Sequence, residues 1–333
     1  MERCVAAQRP VERPNARMEK ARVDEPVEFE IRVYIAKWAR LLYNVEANMP
    51  QKEAASMNIG IRLHDTAGST LEEHLKSARE QGFSCAHIAL SKTIPGFSMK
   101  DAPALLTDSL AAEVRALLDK YGMECAVLGC YLNLATPDEA ELANTLASYK
   151  AHLHFARAIG ARVVGTETGA PNTAYATCPE CWTEESLQLF IDRLRPVVRY
   201  AEEAGSIIAI EPVCRHIVST PERARRVLDA IDSPALQIIL DAVNLLTLDN
   251  YPRYDELIDE SVRLFGDRIR VLHMKDFHIV PGMADVQSIA CGTGCMNYTR
   301  LLSLARSIPG IPMTLEDTVP SNAEAARLFL EGV

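Results

Sequence analysis

The chain has 333 residues, 48% of them hydrophobic and 24% charged, which supports a sizeable buried core and excludes wholesale disorder. With 35 Lys and Arg against 45 Asp and Glu the formal charge is −10, which disfavours a nucleic-acid partner, and no apolar run approaches the roughly 20 residues of a membrane helix. Nine cysteines are too few for a disulfide scaffold in a chain this long, and with no secretory-signal pattern at the N-terminus they point to reduced thiols and a cytoplasmic protein.

Residues 1–56 differ in character from the rest. They are rich in Arg and Glu, carry Pro10, Pro14, Pro26 and Pro50, and show no strand–helix rhythm. They hold ten Lys/Arg and nine Asp/Glu, leaving 25 and 36 for residues 57–333 and a net of −11 there. Phe29–Val45 has apolar residues at helical spacing and is a candidate partner-docking helix. The simpler expectation is that 1–56 is an N-terminal extension outside the folded domain, which starts at Met57.

From Met57 short β-rich runs alternate with helical stretches. The strand candidates are Ile59–Leu63, Ala86–Leu90, Cys125–Cys130, Arg162–Thr166, Ile207–Ile210, Gln237–Leu240, Ile269–His273 and Pro312–Leu315. The helical patterns are Thr70–Gln81, Asp108–Tyr121, Asp138–Ile159, Thr183–Ala204, Pro221–Ile231, Tyr254–Phe265, Tyr298–Ser307 and Asn322–Leu330. Ser69-Thr-Leu-Glu-Glu, Thr136-Pro-Asp-Glu, Thr183-Glu-Glu and Thr220-Pro-Glu supply capping oxygens followed by Pro or acids. Gly82, Gly122, Gly160, Gly205 and Gly266 follow helix ends, where a left-handed residue is wanted. Eight such units predict a (β/α)₈ TIM barrel over 57–333. A doubly wound open sheet is the alternative, but His64-Asp-Thr-Ala-Gly is not the Gly-rich phosphate turn expected after its first strand.

In such a barrel the chemistry lies at the carboxyl ends of the strands. The last four strand candidates run into Glu211, Asp241, His273 and Glu316. Any one of these could be a helix cap or a core histidine. Together they gather negative charge on one rim, which a divalent cation would neutralise, and two Glu, one Asp and one His suit Mn²⁺, Mg²⁺, Co²⁺ or Zn²⁺. Further polar residues lie near that rim. Asn244 follows Asp241 by three and can donate to a substrate hydroxyl. Arg215 and His216 either reach a substrate hydroxyl or phosphate, or are solvated loop residues. Lys275 shares the strand face of His273 and either neutralises a substrate oxyanion or pairs with an acid. Glu167 is a fifth polar contact or a loop residue.

The series Ile-Glu211-Pro, Leu-Asp241-Ala-Val-Asn244, Leu-His273-Met-Lys275-Asp276 and Leu-Glu316-Asp resembles the xylose isomerase-like TIM barrel superfamily, which includes sugar phosphate isomerases and epimerases. The resemblance covers essentially residues 57–333. It implies a metal-dependent isomerase or epimerase of a sugar, sugar phosphate or cyclitol, acting by proton abstraction next to a carbonyl through a metal-stabilised enediolate. It further implies that Glu211 and Glu316 are both ligands and the acid/base pair, that Asp241 and His273 are ligands only, and that manganese is a natural ion. Barrels of this kind often form homo-oligomers. Asn244 departs from the epimerase pattern, where His is common at that position.

Three alternatives stand beside this reading. A lyase or dehydratase acting on a keto-sugar or inosose starts with the same proton abstraction. An endonuclease IV-like DNA-repair hydrolase needs histidines that Asn244, Val286 and Ser288 replace. A barrel kept only as a binding subunit has no use for clustered acids. Two motifs stay unassigned. Cys178-Pro-Glu-Cys181, with Cys291 and Cys295 far along the chain, is either half of a zinc site or a set of free loop thiols. Gly292-Thr-Gly294 is either a backbone anion cradle or a turn.

Overall fold

The computed structural model describes residues 57–333, so the Phe29–Val45 helix expectation lies outside the described residues. Eight parallel strands close into a barrel: β1 (Ile59–Arg62), β2 (Cys85–Ile88), β3 (Glu124–Gly129), β4 (Val163–Glu167), β5 (Ile208–Glu211), β6 (Leu236–Asp241), β7 (Ile269–Met274) and β8 (Met313–Leu315). Each pairs with its neighbours in sequence. Closure comes from β8 on β1, in the register Ile59–Met313, Gly60–Thr314, Ile61–Leu315. Around them lie α1 (Leu71–Glu80), α2 (Asp108–Tyr121), α3 (Glu139–Ile159), α4 (Glu184–Ala204), α5 (Pro221–Ile231), α6 (Tyr254–Phe265), α7 (Thr299–Ser307) and α8 (Ala323–Gly332). These are the elements that the periodicity predicts, with ends displaced by two residues at most.

The punctuation works as its chemistry suggests. The hydroxyls of Thr70, Thr183 and Thr220 accept the amides of Glu73, Ser186 and Arg223. At α3 the cap is Asp138, which takes the amides of Ala140 and Glu141, while the Thr136 hydroxyl donates to the Glu141 carboxylate. Helix α5 ends on Asp232, left-handed at φ 46°, a stop that no glycine announces. The periodicity also misses a hairpin after β7, in which Asp276–His278 pairs antiparallel with Gln287–Ile289. Runs of three residues are too short to show a repeat.

Two clusters of buried residues follow from the two faces of each strand. The larger lies between strands and helices. The smaller gathers Cys85, Ala126, Val127, Val163, Ala209, Ile239 and Val271. It fills the barrel: a Cβ on Gly165 of β4 would sit 2.5 Å from Val127 Cγ1 and 2.9 Å from Ile239 Cδ1, two strands away on β6. Side chains alternate along a strand. Two residues after Cys85, Val163 (by way of Gly165), Ala209, Ile239 and Val271, the same inward face therefore presents His87, Glu167, Glu211, Asp241 and His273. The interior turns from apolar to ionisable at the carboxyl ends of its strands.

Two outcomes follow. Gly165→Ala is expected to cost about 1–3 kcal/mol of stability, because Val127 and Ile239 must yield inside a closed ring of strands; a urea midpoint unchanged from wild type contradicts this. Because every barrel strand lies after Met57, a chain starting there is expected to fold and to unfold cooperatively. Insoluble or non-cooperative protein would show that residues 1–56 are needed by the barrel.

Candidate metal centre and active site

Glu211 and Asp241 end β5 and β6, His273 lies on β7, and Glu316 follows β8 by one residue. All four are buried. The imidazole of His273 stands in the middle: its Nδ1 is 3.3 Å from Glu211 Oε2, 3.4 Å from Glu316 Oε1 and 3.9 Å from Asp241 Oδ2. Adjacent registers, Asp241 beside His273 and Thr314 beside His273, bring the strands' ends level.

Two sets of donor atoms lie close enough together to hold one ion, Glu211–Asp241–His273 and His87–His273–Glu316, with all donors of a set within 4.8 Å of one another. The fit to a cation rests on more than proximity. Nε2 of His273 is buried without a hydrogen-bond partner, although such groups are normally satisfied, while Nδ1 and Asp241 Oδ2 meet only charged groups of the site itself, among them Glu211 and Lys275. Three carboxylates and one imidazole form a hard-to-borderline donor set suited to Mg²⁺, Mn²⁺, Co²⁺ or Zn²⁺. Among the described residues, neither set contains a cysteine.

Cations of the chain itself also balance these acids. Lys275 Nζ lies 3.0 Å from Asp241 Oδ2 and 3.1 Å from Glu316 Oε2, and the paired acids hold its pKa well above the ordinary lysine value despite burial. Burial pushes Glu316 up, but His273 and Lys275 outweigh it and hold the carboxyl well below its usual range. Burial likewise opposes the charge of Glu211, and His273 brings it below the ordinary value. Asp241 is raised, mainly by burial. Burial alone would neutralise His273, yet Glu316 and Glu211 raise it to about 9.

The remaining expected residues take distinct places. Asn244 faces inward, donating Nδ2 to Glu211 Oε1 at 2.6 Å and accepting from Lys275 Nζ at 3.2 Å. Both ends of its amide are thus engaged within the site. Glu167 pairs in register with Glu211, and burial and Glu211 raise it to about 7. His216 Nδ1 is 3.4 Å from Glu167 Oε2, behind it, and the ring stacks on Tyr175 with centroids 5.2 Å apart. Burial and Arg215 lower His216 to about 4. Arg215 is exposed, with its nearest acid, Asp285, at 3.8 Å. A cavity of about 500 Å³ opens over this floor, lined among others by Glu167, Glu211, Arg215, Asn244, Lys275 and Glu316.

Three site residues escape the sequence reading. His87 on β2 places Nδ1 3.0 Å from Glu316 Oε1 and stacks on His273 with centroids 5.3 Å apart. Arg62, ending β1, brings Nη1 to 3.4 Å from Glu316 Oε2 and donates to Asp65 and Asp317 at 3.1 and 3.2 Å. The Tyr131 hydroxyl lies 3.5 Å from Glu211 Oε2. The signal for His87 is its place two residues after Cys85, but a strand expected over Ala86–Leu90 puts it near the strand's start, away from the carboxyl end. In fact β2 stops at Ile88, so His87 is at the rim. One unassigned motif is also resolved. The amides of Gly292 and Gly294 donate to Asp276 Oδ2 at 3.1 and 2.9 Å, with those of Phe277 and Met296 on Oδ1. Gly292-Thr-Gly294 is an anion cradle whose anion is the chain's own buried carboxylate, not a phosphate.

A cation needs the lone pair of His273, which the neighbouring acids keep protonated up to about pH 9. Titrating the protein with Mn²⁺ between pH 7 and 8 is therefore expected to release about one proton per ion, fading above pH 9. Calorimetry in buffers of different ionisation enthalpy measures it, and heats independent of the buffer would sink the assignment. Asp241→Asn should weaken Mn²⁺ binding while the barrel stays folded.

The family model for the xylose isomerase-like TIM barrel matches residues 75–332. No curated protein sequence matches the chain. Among solved structures, apo 3-keto-D-glucoside 4-epimerase from E. coli superposes with a TM-score of 0.64 at 18% identity, covering 84% of this chain and 100% of its own. The IolI protein with a bound zinc atom gives 0.63 at 18% identity, covering 83% and 96%. A probable 3-DHS dehydratase from Bacillus anthracis gives 0.62 at 14% identity, covering 83% and 98%. At these identities the likeness is one of fold.

Proposed function

The chain belongs to the xylose isomerase-like TIM barrel family, and we propose that it is a divalent-metal-dependent isomerase or epimerase of a sugar, sugar phosphate or cyclitol, acting by proton transfer at the carbon next to a carbonyl. One observation carries this reading. Two ionised carboxylates, Glu211 and Glu316, flank His273 from β5 and from the end of β8, and both face the same cavity of about 500 Å³. That volume lies in the range of small-ligand sites.

Glu211, Asp241, His273 and Glu316 would hold the ion, which when bound supplies positive charge to polarise a substrate carbonyl. The chain's own residues do the rest. Glu211 and Glu316, held below the ordinary carboxylate range, are ionised at neutral pH, so either can accept a proton from carbon and return it. Glu211 comes from β5 and Glu316 from the end of β8, and in this reading each serves a different face of the substrate. Asn244 fixes the rotamer of Glu211 through the 2.6 Å hydrogen bond, and Lys275 and Arg62 steady Glu316. Glu167, at about 7, keeps part of its proton at neutral pH and can offer it to a substrate oxygen. Arg215 stands at the cavity rim for a hydroxyl or phosphate.

A second reading, a lyase that dehydrates a keto-sugar or inosose, draws on the same first step. Glu167 favours it, since an acid near pH 7 beside the base can protonate a departing hydroxyl. The fold likeness to the dehydratase is in keeping with that.

The test is incubation of the Mn²⁺-loaded protein with ketoses, keto-cyclitols and their phosphates in D₂O. Deuterium at the carbon next to the carbonyl is expected, with an epimer or aldose as product. Loss of water instead selects the lyase, and the absence of exchange in every substrate rejects both. Glu211→Gln and Glu316→Gln should retain bound Mn²⁺ and lose about 10²- to 10⁴-fold in rate. If each serves one face, one variant still exchanges the substrate proton without forming product. Fully loaded variants that turn over at the wild-type rate would overturn the proton-transfer roles.

A further inference from the structure

We propose that Cys178 and Cys181 form a reversible disulfide site in the loop after β4. The two sulfurs lie 3.6 Å apart, Cys178 just before and Cys181 within a single 3₁₀ turn, Pro179–Trp182, that leads into α4. Cys178 is extended at φ −148° and ψ 161° and partly exposed, whereas Cys181 is buried. The Cys181 amide donates to the Cys178 carbonyl at 3.0 Å, which closes the turn and holds the sulfurs in contact. Nothing in the proposed reaction uses this pair. Among the other described thiols, burial keeps Cys85 and Cys291 at about 12, half-buried Cys214 donates to the Leu246 carbonyl at 3.2 Å rather than to a second thiol, and Cys295 is exposed.

The chemistry needs a two-electron oxidant, here a low-molecular-weight disulfide. The thiolate of Cys178 attacks one sulfur of the oxidant, the oxidant's S–S bond breaks, and one thiolate leaves. Cys181 then loses its proton and attacks Cys178 Sγ, expelling the second thiol. Two protein thiols are oxidised and one disulfide is reduced to two thiols, with protons conserved.

Bond formation brings the sulfurs about 1.5 Å closer, from contact to covalent distance. The two ends of the turn are not equally held. Arg223 clamps the carbonyls of Cys181, Trp182 and Thr183 at 3.5, 3.2 and 2.9 Å. Cys178 is held on its free side by Asn172 Nδ2 at 3.4 Å. The segment from Asn172 to Cys178 therefore takes up the movement. It includes Tyr175, left-handed at φ 53°, whose ring stacks on His216, which in turn faces Glu167 at the barrel mouth.

The full chain is equilibrated in glutathione redox buffers, quenched by alkylation, digested and weighed. A reversible 178–181 disulfide is expected in wild type. Cys181→Ser should accumulate glutathione on Cys178, whereas Cys178→Ser should leave buried Cys181 as a thiol. Exposed Cys295 is the internal control. If Cys295 takes up glutathione while both Cys178 and Cys181 remain thiols, or if either bonds to a different cysteine, the proposal fails. Oxidation should alter amide exchange over residues 172–178 in wild type and leave it unchanged in Cys178→Ser, where neither position is modified. A bond that forms with exchange there unchanged overturns the link to the barrel mouth.

Discussion

Everything at the barrel mouth depends on how the molecule accommodates several buried carboxylates within a few ångströms of one another. Like charges in a water-poor site repel and resist ionisation. The fold answers with positive groups drawn from elsewhere on the ring: His273 set between Glu211 and Glu316, Lys275 bridging Asp241 and Glu316, and Arg62 reaching from β1 to Glu316 and Asp317. A buried ion pair gains little over an apolar replacement, but removing one partner strands the other. The charges are therefore interdependent, and they explain why Glu316 and Asp241, both buried acids, shift in opposite directions. Glu316 faces His273, Lys275 and Arg62 as well as His87. For Asp241 burial outweighs Lys275, its closest counter-charge.

The placement of those charges comes from strand geometry. Inward positions alternate, so the apolar filling of the barrel and its ionisable rim are the same stripe of residues two apart: Ala209 then Glu211, Ile239 then Asp241, Val271 then His273. Small residues beneath the rim make room. Gly165 lies under the Tyr131 hydroxyl, and a Cβ on Gly129 would sit 3.0 Å from His87 Nε2. The hairpin that follows β7 is pinned by Asp276, whose carboxylate takes four backbone amides, and it brings Ser288 onto Asp317. Loop, rim and filling are thus coupled through a few buried polar contacts.

Much of this was legible in the residues. The strand–helix rhythm named all sixteen barrel elements, because amphipathic helices and doubly buried strands carry strong periodic signatures. Glu211, Asp241, His273 and Glu316 could be picked out because each stands where an apolar run stops. Less visible was the first half of the ring. His87 sits inside its β-rich run, and only the true end of β2 shows it to be a rim residue. Arg62 and Tyr131 carry no motif. Nor could spacing tell that the Gly292 and Gly294 amides face Asp276, a residue sixteen positions away from the first of them.

By itself the sequence determined the barrel, its alternation of inward and outward residues, and a rim rich in acids, because these follow from local periodicity and from which residue types end the strands. Only the tertiary structure decided the partners. Asn244 turns its amide to Glu211 and Lys275, His216 stands behind Glu167, and His87 stacks on His273 across β1 and β8, which lie between their strands in the ring. The physical reason is that periodicity specifies which way a side chain points along its own strand. What it meets there depends on the register of neighbouring strands and on the closure of β8 against β1.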